Sequence, residues 1–183
     1  LVPDSVDRFC RSVGLDDTER ALFEQQLGAS AGITVAGLRL QHLIGARDSS
    51  HILMTGCDLY GCGTGGLTLH NVSRCYIDDT TIRECTYGIL SAGHCNTVCI
   101  TNSTFKDNVE FWGLKLERSR DVAFVGCAIE RDQANEPLFS VSRSHNVFVT
   151  GGTIASNRGK ALLNDVTQVD FSPTNAFTDN VFG

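Results

Sequence analysis

Six side chains able to bind or transform a ligand recur in the middle of this chain: His70, His94, Lys115, Glu117, Arg118 and Arg143. A base such as Lys115 or His70 near Glu117 could abstract a proton or run general acid/base chemistry. The substrate-binding candidates are His94, Arg118, Arg143 and Trp112. Arginine and lysine hold carboxylates or sulfates through charge-assisted hydrogen bonds. Trp112 offers a flat aromatic face on which a sugar ring could stack, or it folds back over its own chain. A second group is Asp78–Asp79, with Glu84 and Asp107 on nearby turns. Paired carboxylates could bind Ca²⁺, or serve as the acid and the water-activating base of an inverting glycosidase. The plainer alternative for all these groups is that they are solvated, outward-facing residues of strands and turns.

What must position them is a repeat. Six segments share one pattern, opened by Ile52, Cys75, Val98, Val122, Val147 and Val169, so the period is 22 to 25 residues. Two residues further on stand Met54, Ile77, Ile100, Phe124, Val149 and Phe171, and five beyond those come Leu59, Ile82, Phe105, Ile129 and Ile154. Another strand precedes each anchor, with Ile44, Leu67, Leu90, Leu114, Phe139 and Ala161 in one row and Ala46, Leu69, Ala92, Leu116, Val141 and Leu163 in the next. Alternation within such short runs is the mark of strands with one face buried. A period near 23 is too short for helical-hairpin repeats, which need roughly 33–47 residues.

The form apolar-x-apolar-x-x-small-x-apolar, preceded by Gly66-Leu67-Thr68-Leu69 or Gly113-Leu114-Lys115-Leu116, resembles the right-handed parallel β-helix repeat of pectate lyases and many secreted or surface proteins. The resemblance spans about residues 44–177. It implies an all-β, single-stranded parallel β-helix (a solenoid) of about six rungs, and favours an extracellular, periplasmic or cell-surface setting. Family repeats often ladder asparagines at the fifth position after the anchor. Here that row reads Cys57, Thr80, Ser103, Cys127 and Gly152, which keeps the tight corner without the asparagines. Polygalacturonases of this superfamily carry an Asp pair, a Gly-His-Gly and an Arg-x-Lys. Asp78-Asp79 and Gly93-His94 match in part, but Cys95 replaces the last glycine and no Arg-x-Lys follows.

If the apolar rows point inward, the intervening residues form outward ladders: Thr68, Ser91, Lys115, Ser140 and Leu162; then His70, Gly93, Glu117, Ser142 and Asn164; then, at the corner, Asn71, His94, Arg118, Arg143 and Asp165. Asp79 falls at another corner, where other rungs carry Gly56, Asn102, Gly126 and Gly151, as turn chemistry favours. Residues 1–30 read as an N-terminal α-helical cap, with Val6, Phe9, Cys10 and Val13 at helical spacing, and residues 31–183 as the β-helix domain. Residues 31–43 read as an irregular first turn and residues 172–183 as loop. Of the eight cysteines, Cys57 and Cys127 fall in the small inward corner row, Cys75 in the apolar anchor row and Cys10 on the apolar helix face, while Cys62 and Cys85 stack one repeat apart at a distance that permits a disulfide. Cys95 and Cys99 flank a turn, with one or both exposed.

With 15 Lys+Arg against 21 Asp+Glu and no basic run, the chain is not built for nucleic acid. No apolar stretch reaches the ~20 residues of a membrane span. The start at Leu1 reads as a processed product or an excised piece. The function expected is a non-catalytic carbohydrate-binding or structural module of a larger secreted or surface protein, needing no cofactor, with calcium as the one candidate ion at Asp78 and Asp79. A polysaccharide-modifying lyase, hydrolase or epimerase acting on an acidic glycan through Lys115, Glu117 and His70 is the first alternative. A protein-binding scaffold is the second.

Overall fold

Short strands, most of two to six residues and bounded by sharp corners, set this architecture. The computed structural model describes residues 33–41, 44–63, 65–110, 112–165 and 168–183, so the helical cap expected over 1–30 lies outside the described residues. Every pairing between neighbouring strands is parallel, and strands inside each stack pair with the one a turn earlier and the one a turn later. The chain is thus an all-β parallel solenoid of about six turns, as the repeat predicts.

A full turn lays down four faces. Gly88–Gly93, Trp112–Glu117 and Phe139–Ser142 belong to the first, and Asn96–Thr101, Arg120–Val125 and His145–Thr150 to the second. The long strands Ile44–Thr55 and Leu67–Asp78 run through both, joining them into one ten-stranded sheet. Thr81–Arg83, Thr104–Lys106, Ala128–Glu130 and Thr153–Ala155 lie on a seven-stranded third face. Val109–Glu110, Gln133–Ala134, Arg158–Gly159 and Val181–Phe182 make the short fourth.

The expected rows are real columns. Leu67 pairs with Leu90, Leu90 with Leu114 and Leu114 with Phe139. On the second face Cys75, Val98, Val122 and Val147 stack in register, and on the third Ile82, Phe105, Ile129 and Ile154. All twelve are buried, and Phe105, Phe124, Phe139, Phe171 and Phe177 meet edge to face at centroid distances of 5.5–6.2 Å.

Each corner is turned by one residue in the left-handed region. Asp48, Asn71, His94, Arg118 and Arg143 have φ between 48° and 55°, while Gly56, Asp79, Asn102, Gly126 and Gly151 lie between 48° and 63°. A non-glycine there costs on the order of 1–2 kcal/mol, which persists because the backbone pairing above and below fixes the bend.

Three expectations need correction. The first described strands, Ile33–Ala36 and Arg39–Leu40, are not irregular but pair in register with Ile52–Thr55 and Asp58–Leu59. The C-terminal segment is not loop, because Ala176–Thr178 and Val181–Phe182 continue the third and fourth faces. Phe139 pairs with Leu163 rather than Ala161, and the Asn164 amide bonds the Val141 N–H and carbonyl at 2.6 and 2.8 Å. A slip of two residues keeps the same side chains inward, so alternation alone does not detect it.

The asparagine ladder exists, one corner later than the row inspected. Asn108, Asp132, Asn157 and Asn180 stack inward between the third and fourth faces, and each accepts a backbone N–H from the preceding turn at 2.9–3.0 Å. The amide nitrogens of Asn108, Asn157 and Asn180 donate to the carbonyls of Ile82, Ile129 and Ile154. Asp132 has no such nitrogen. Its Oδ2 is buried and has no hydrogen-bond partner in a slot built for a donor. Burial pushes this carboxyl from 3.8 up to about 7.

The folded state therefore holds a proton on Asp132 that the unfolded chain releases near pH 4. Its contribution to stability is full below that pH and is lost as pH rises through about 7. Asp132→Asn should restore the missing donor, raise unfolding free energy at pH 8 by roughly 2–4 kcal/mol, and flatten the decline between pH 5 and 8. Urea unfolding of both proteins at the two pH values reads this directly.

Candidate functional site

The outward side of the first face gathers the sequence candidates as neighbouring columns. Lys115 pairs with Ser91 on one side and Ser140 on the other, and Glu117 with Gly93 and Ser142. His70 sits opposite Gly93, where a Cβ would come within 3.3 Å of its Nδ1. The absent side chain at 93 makes room for the His70 ring to meet His94, edge to face at 5.4 Å. His94, Arg118 and Arg143 occupy successive corners, with the His94 N–H donating to the Glu117 carbonyl and the Arg118 N–H to that of Ser142, both at 2.9 Å.

Beneath these corners Cys95, Ser119 and Ser144 point inward. The Cys95 N–H donates to Ser119 Oγ and the Ser119 N–H to Ser144 Oγ, each at 3.1 Å. The corner backbones are therefore held by stacked hydroxyls while the long side chains extend outward.

The electrostatics of this column differ from the rest of the surface. Arg83 is clamped by Asp58 at 2.9 Å, Arg131 by Asp107 at 2.6 Å, and Lys160 by Glu136 at 2.9 Å. Arg83 and Arg131 hold Asp58 and Asp107 below the usual carboxylate range. Among the described residues no carboxylate pairs with Lys115, Arg118 or Arg143. Arg118 reaches only His94 Nε2, at 3.5 Å. The structure thus brings His70, His94 and Arg118 into one chain of contacts, with Arg143 a rung further on and Lys115 and Glu117 alongside.

Asp78 and Asp79 do not share a site. Asp78 is buried under the next turn, where its Oδ1 accepts from Thr101 Oγ1 at 2.7 Å and Asn102 Nδ2 at 2.9 Å. Asp79 turns the corner with φ 49° and is exposed. Calcium at this pair would require Asp78 to leave Thr101 and Asn102. Among the described residues no three His, Cys, Asp or Glu side chains converge as metal ligands. The seven described cysteines are free thiols, including the stacked Cys62 and Cys85. Cys95 is buried in its corner row, and Cys99 is only partly covered. Burial pushes Cys75 and Cys99 up to about 12 and Cys127 to about 11, which leaves these three as thiols rather than nucleophilic thiolates at neutral pH.

Trp112 does not lie in a loop. It begins a first-face strand, pairs with Gly88, and lays its ring over that glycine, where a Cβ would fall 2.4 Å from the indole. Tyr87, half-exposed, stands edge-on to it at 6.1 Å and 86°. Beyond Tyr87 lies a feature the sequence candidates omit: an open groove of about 700 Å³ along the fourth face, lined by Tyr87, Gln133, Asn135, Arg158 and Lys160 among others. The repeat interval between Gln133 and Arg158 was the available signal, but two-residue strands carry no alternation to flag it.

The coiled architecture is what the family comparison also recognises. The profile for the right handed beta helix region matches residues 28–182. The chain belongs to the right-handed β-helix family. No curated protein matches it. Family membership fixes how the β-helix positions side chains but leaves its ligand to the site itself, since one fold hosts many functions. Among the described residues no helix is long and apolar enough to cross a membrane.

The Gly88–Trp112 contact is testable. Gly88→Val should drive the indole off its seat and shift the emission of Trp112, the chain's single tryptophan, to the red. Gly93→Ala, whose new methyl meets only the His70 ring, should leave that emission unchanged.

Proposed function

We propose that this β-helix is a non-catalytic binding module for an extended acidic glycan, gripped along the corner column of the first face. One observation carries the reading: Arg118 and Arg143 are exposed at the same corner of adjacent rungs, about 4.8 Å apart, and among the described residues no carboxylate is paired with either. Stacked like charges repel, and an anionic chain running along the coil axis would relieve both at once. His94 extends the column by a rung, Lys115 supplies a third cation beside it, and Ser91, Ser140 and Ser142 provide hydroxyls for sugar oxygens. Glu117 would discriminate against ligands that crowd it with a second negative charge. The polysaccharide-modifying alternative requires Lys115 and Glu117 to enclose a substrate. Both sit on the outward row of an open sheet, and neither lines the groove of about 700 Å³.

Calorimetric titration with polygalacturonate tests the proposal. The wild-type chain should bind, with affinity falling as salt rises. Arg118→Ala and Arg143→Ala should each weaken binding about tenfold, the equivalent of about 1.4 kcal/mol. Equal binding of an uncharged polymer such as dextran, or undiminished binding by the double variant, would overturn the site. Release of unsaturated or reducing ends from the polymer would overturn the non-catalytic reading.

A further inference from the structure

The groove on the fourth face is a different surface from the corner column, and its lining has a direction. Its outward column runs Thr86, Val109, Gln133, Arg158 and Val181, one residue per rung. Along the coil axis a hydroxyl is followed by an exposed valine, then by an amide and a guanidinium on adjacent rungs, with a second exposed valine closing the column. Tyr87 stands at one end, 52 % exposed, with its ring orientation fixed by Trp112, which is itself seated on Gly88. Three rung spacings, about 14 Å, separate the Thr86–Tyr87 rung from that of Arg158. A volume of about 700 Å³ lies within the range of sites that hold a small ligand.

The charges along the groove are unequal. Lys160 is neutralised by Glu136 at 2.9 Å. Arg158 lines the groove and is exposed, and among the described residues no carboxylate is paired with it. A ligand lying here meets an aromatic face first and an uncompensated guanidinium last.

We propose that this groove is a second binding site, for a short acidic oligosaccharide, with Tyr87 as the stacking platform and Arg158 as the carboxylate anchor. Gln133 and Asn135 supply amide donors and acceptors for ring hydroxyls between those two ends. An acidic peptide fits the same groove less well. Extended peptides bind by adding a strand to a free sheet edge. Gln133–Ala134 is already bonded to Val109–Glu110 on one side and its neighbour Arg158–Gly159 on the other, so no backbone edge is offered. A sugar chain needs no such edge. This site stands apart from the corner column and does not depend on it.

Trp112, touching Tyr87, is a built-in reporter, and the whole chain serves for the test. Its fluorescence is followed while a short oligogalacturonate is added, with a neutral malto-oligosaccharide of the same length as the comparison. The uronate should give a saturable change that the neutral sugar does not. Arg158→Gln and Tyr87→Ala should each weaken it about tenfold or more, whereas Tyr87→Phe, which keeps the ring, should not. The Arg118→Ala/Arg143→Ala variant should bind the oligomer as the wild type does, even where it loses the polymer. Unchanged affinity in Arg158→Gln would overturn the anchor, and equal binding of the neutral sugar would overturn the acidic class. A fluorescence change abolished by the corner variant alone would overturn the groove as the site. Unaltered thermal unfolding of Tyr87→Ala would show that its loss of binding is local.

Discussion

One constraint organises the molecule: every backbone segment must pair in parallel with the segment a turn before and a turn after, at a spacing of about 4.8 Å. A parallel ladder is satisfied only if each turn bends at the same places as its neighbours. Those places are the corners at which Asp48, Asn71, His94, Arg118 and Arg143, or Gly56, Asp79, Asn102, Gly126 and Gly151, adopt left-handed φ. The bend turns one side chain outward and leaves the next pointing in, where only a small or hydrogen-bonding group fits. Cys57, Thr80 and Ser103 fill one inner corner, Cys95, Ser119 and Ser144 a second, and Asn108, Asp132 and Asn157 a third. The core and the surface columns are two outcomes of the same periodic requirement.

The same requirement explains how functional groups come together. Residues 23 to 25 apart in sequence become neighbours, so a cation at one corner is automatically stacked on whatever occupies that corner a turn later. Where a carboxylate sits a turn away from the cation, as Asp107 does before Arg131, the column neutralises itself. Where Arg118 is followed by Arg143, it does not. The fold therefore turns a sequence period into a linear array of charge, which suits a polymeric ligand better than a compact one.

Much of this was legible because burial on one side of a strand forces period-two alternation, and Leu67, Leu90, Leu114 and Phe139 report it plainly. The corner column was legible for the same reason: once the inward rows are known, His94, Arg118 and Arg143 must align. Three things were not. The pairing of Phe139 with Leu163 is hidden because a two-residue slip preserves the inside–outside pattern. The amide ladder is disguised because Cys62, Cys85 and Asp132 interrupt its asparagines, so the row reads as mixed composition. Asp78 and Asp79 look like a pair, yet adjacent residues at the end of a strand face opposite ways, and only one reaches solvent.

Asp132 has a consequence for how the coil comes apart. In a stacked, nearly one-dimensional molecule each rung contacts only its neighbours, and stability is a sum of rung and interface contributions. An ionised, donor-less carboxylate between Asn108 and Asn157 lowers one interior interface selectively. As the medium turns alkaline, ionisation there weakens the contact between the rungs of Asn108 and Asn157 more than any other along the amide column.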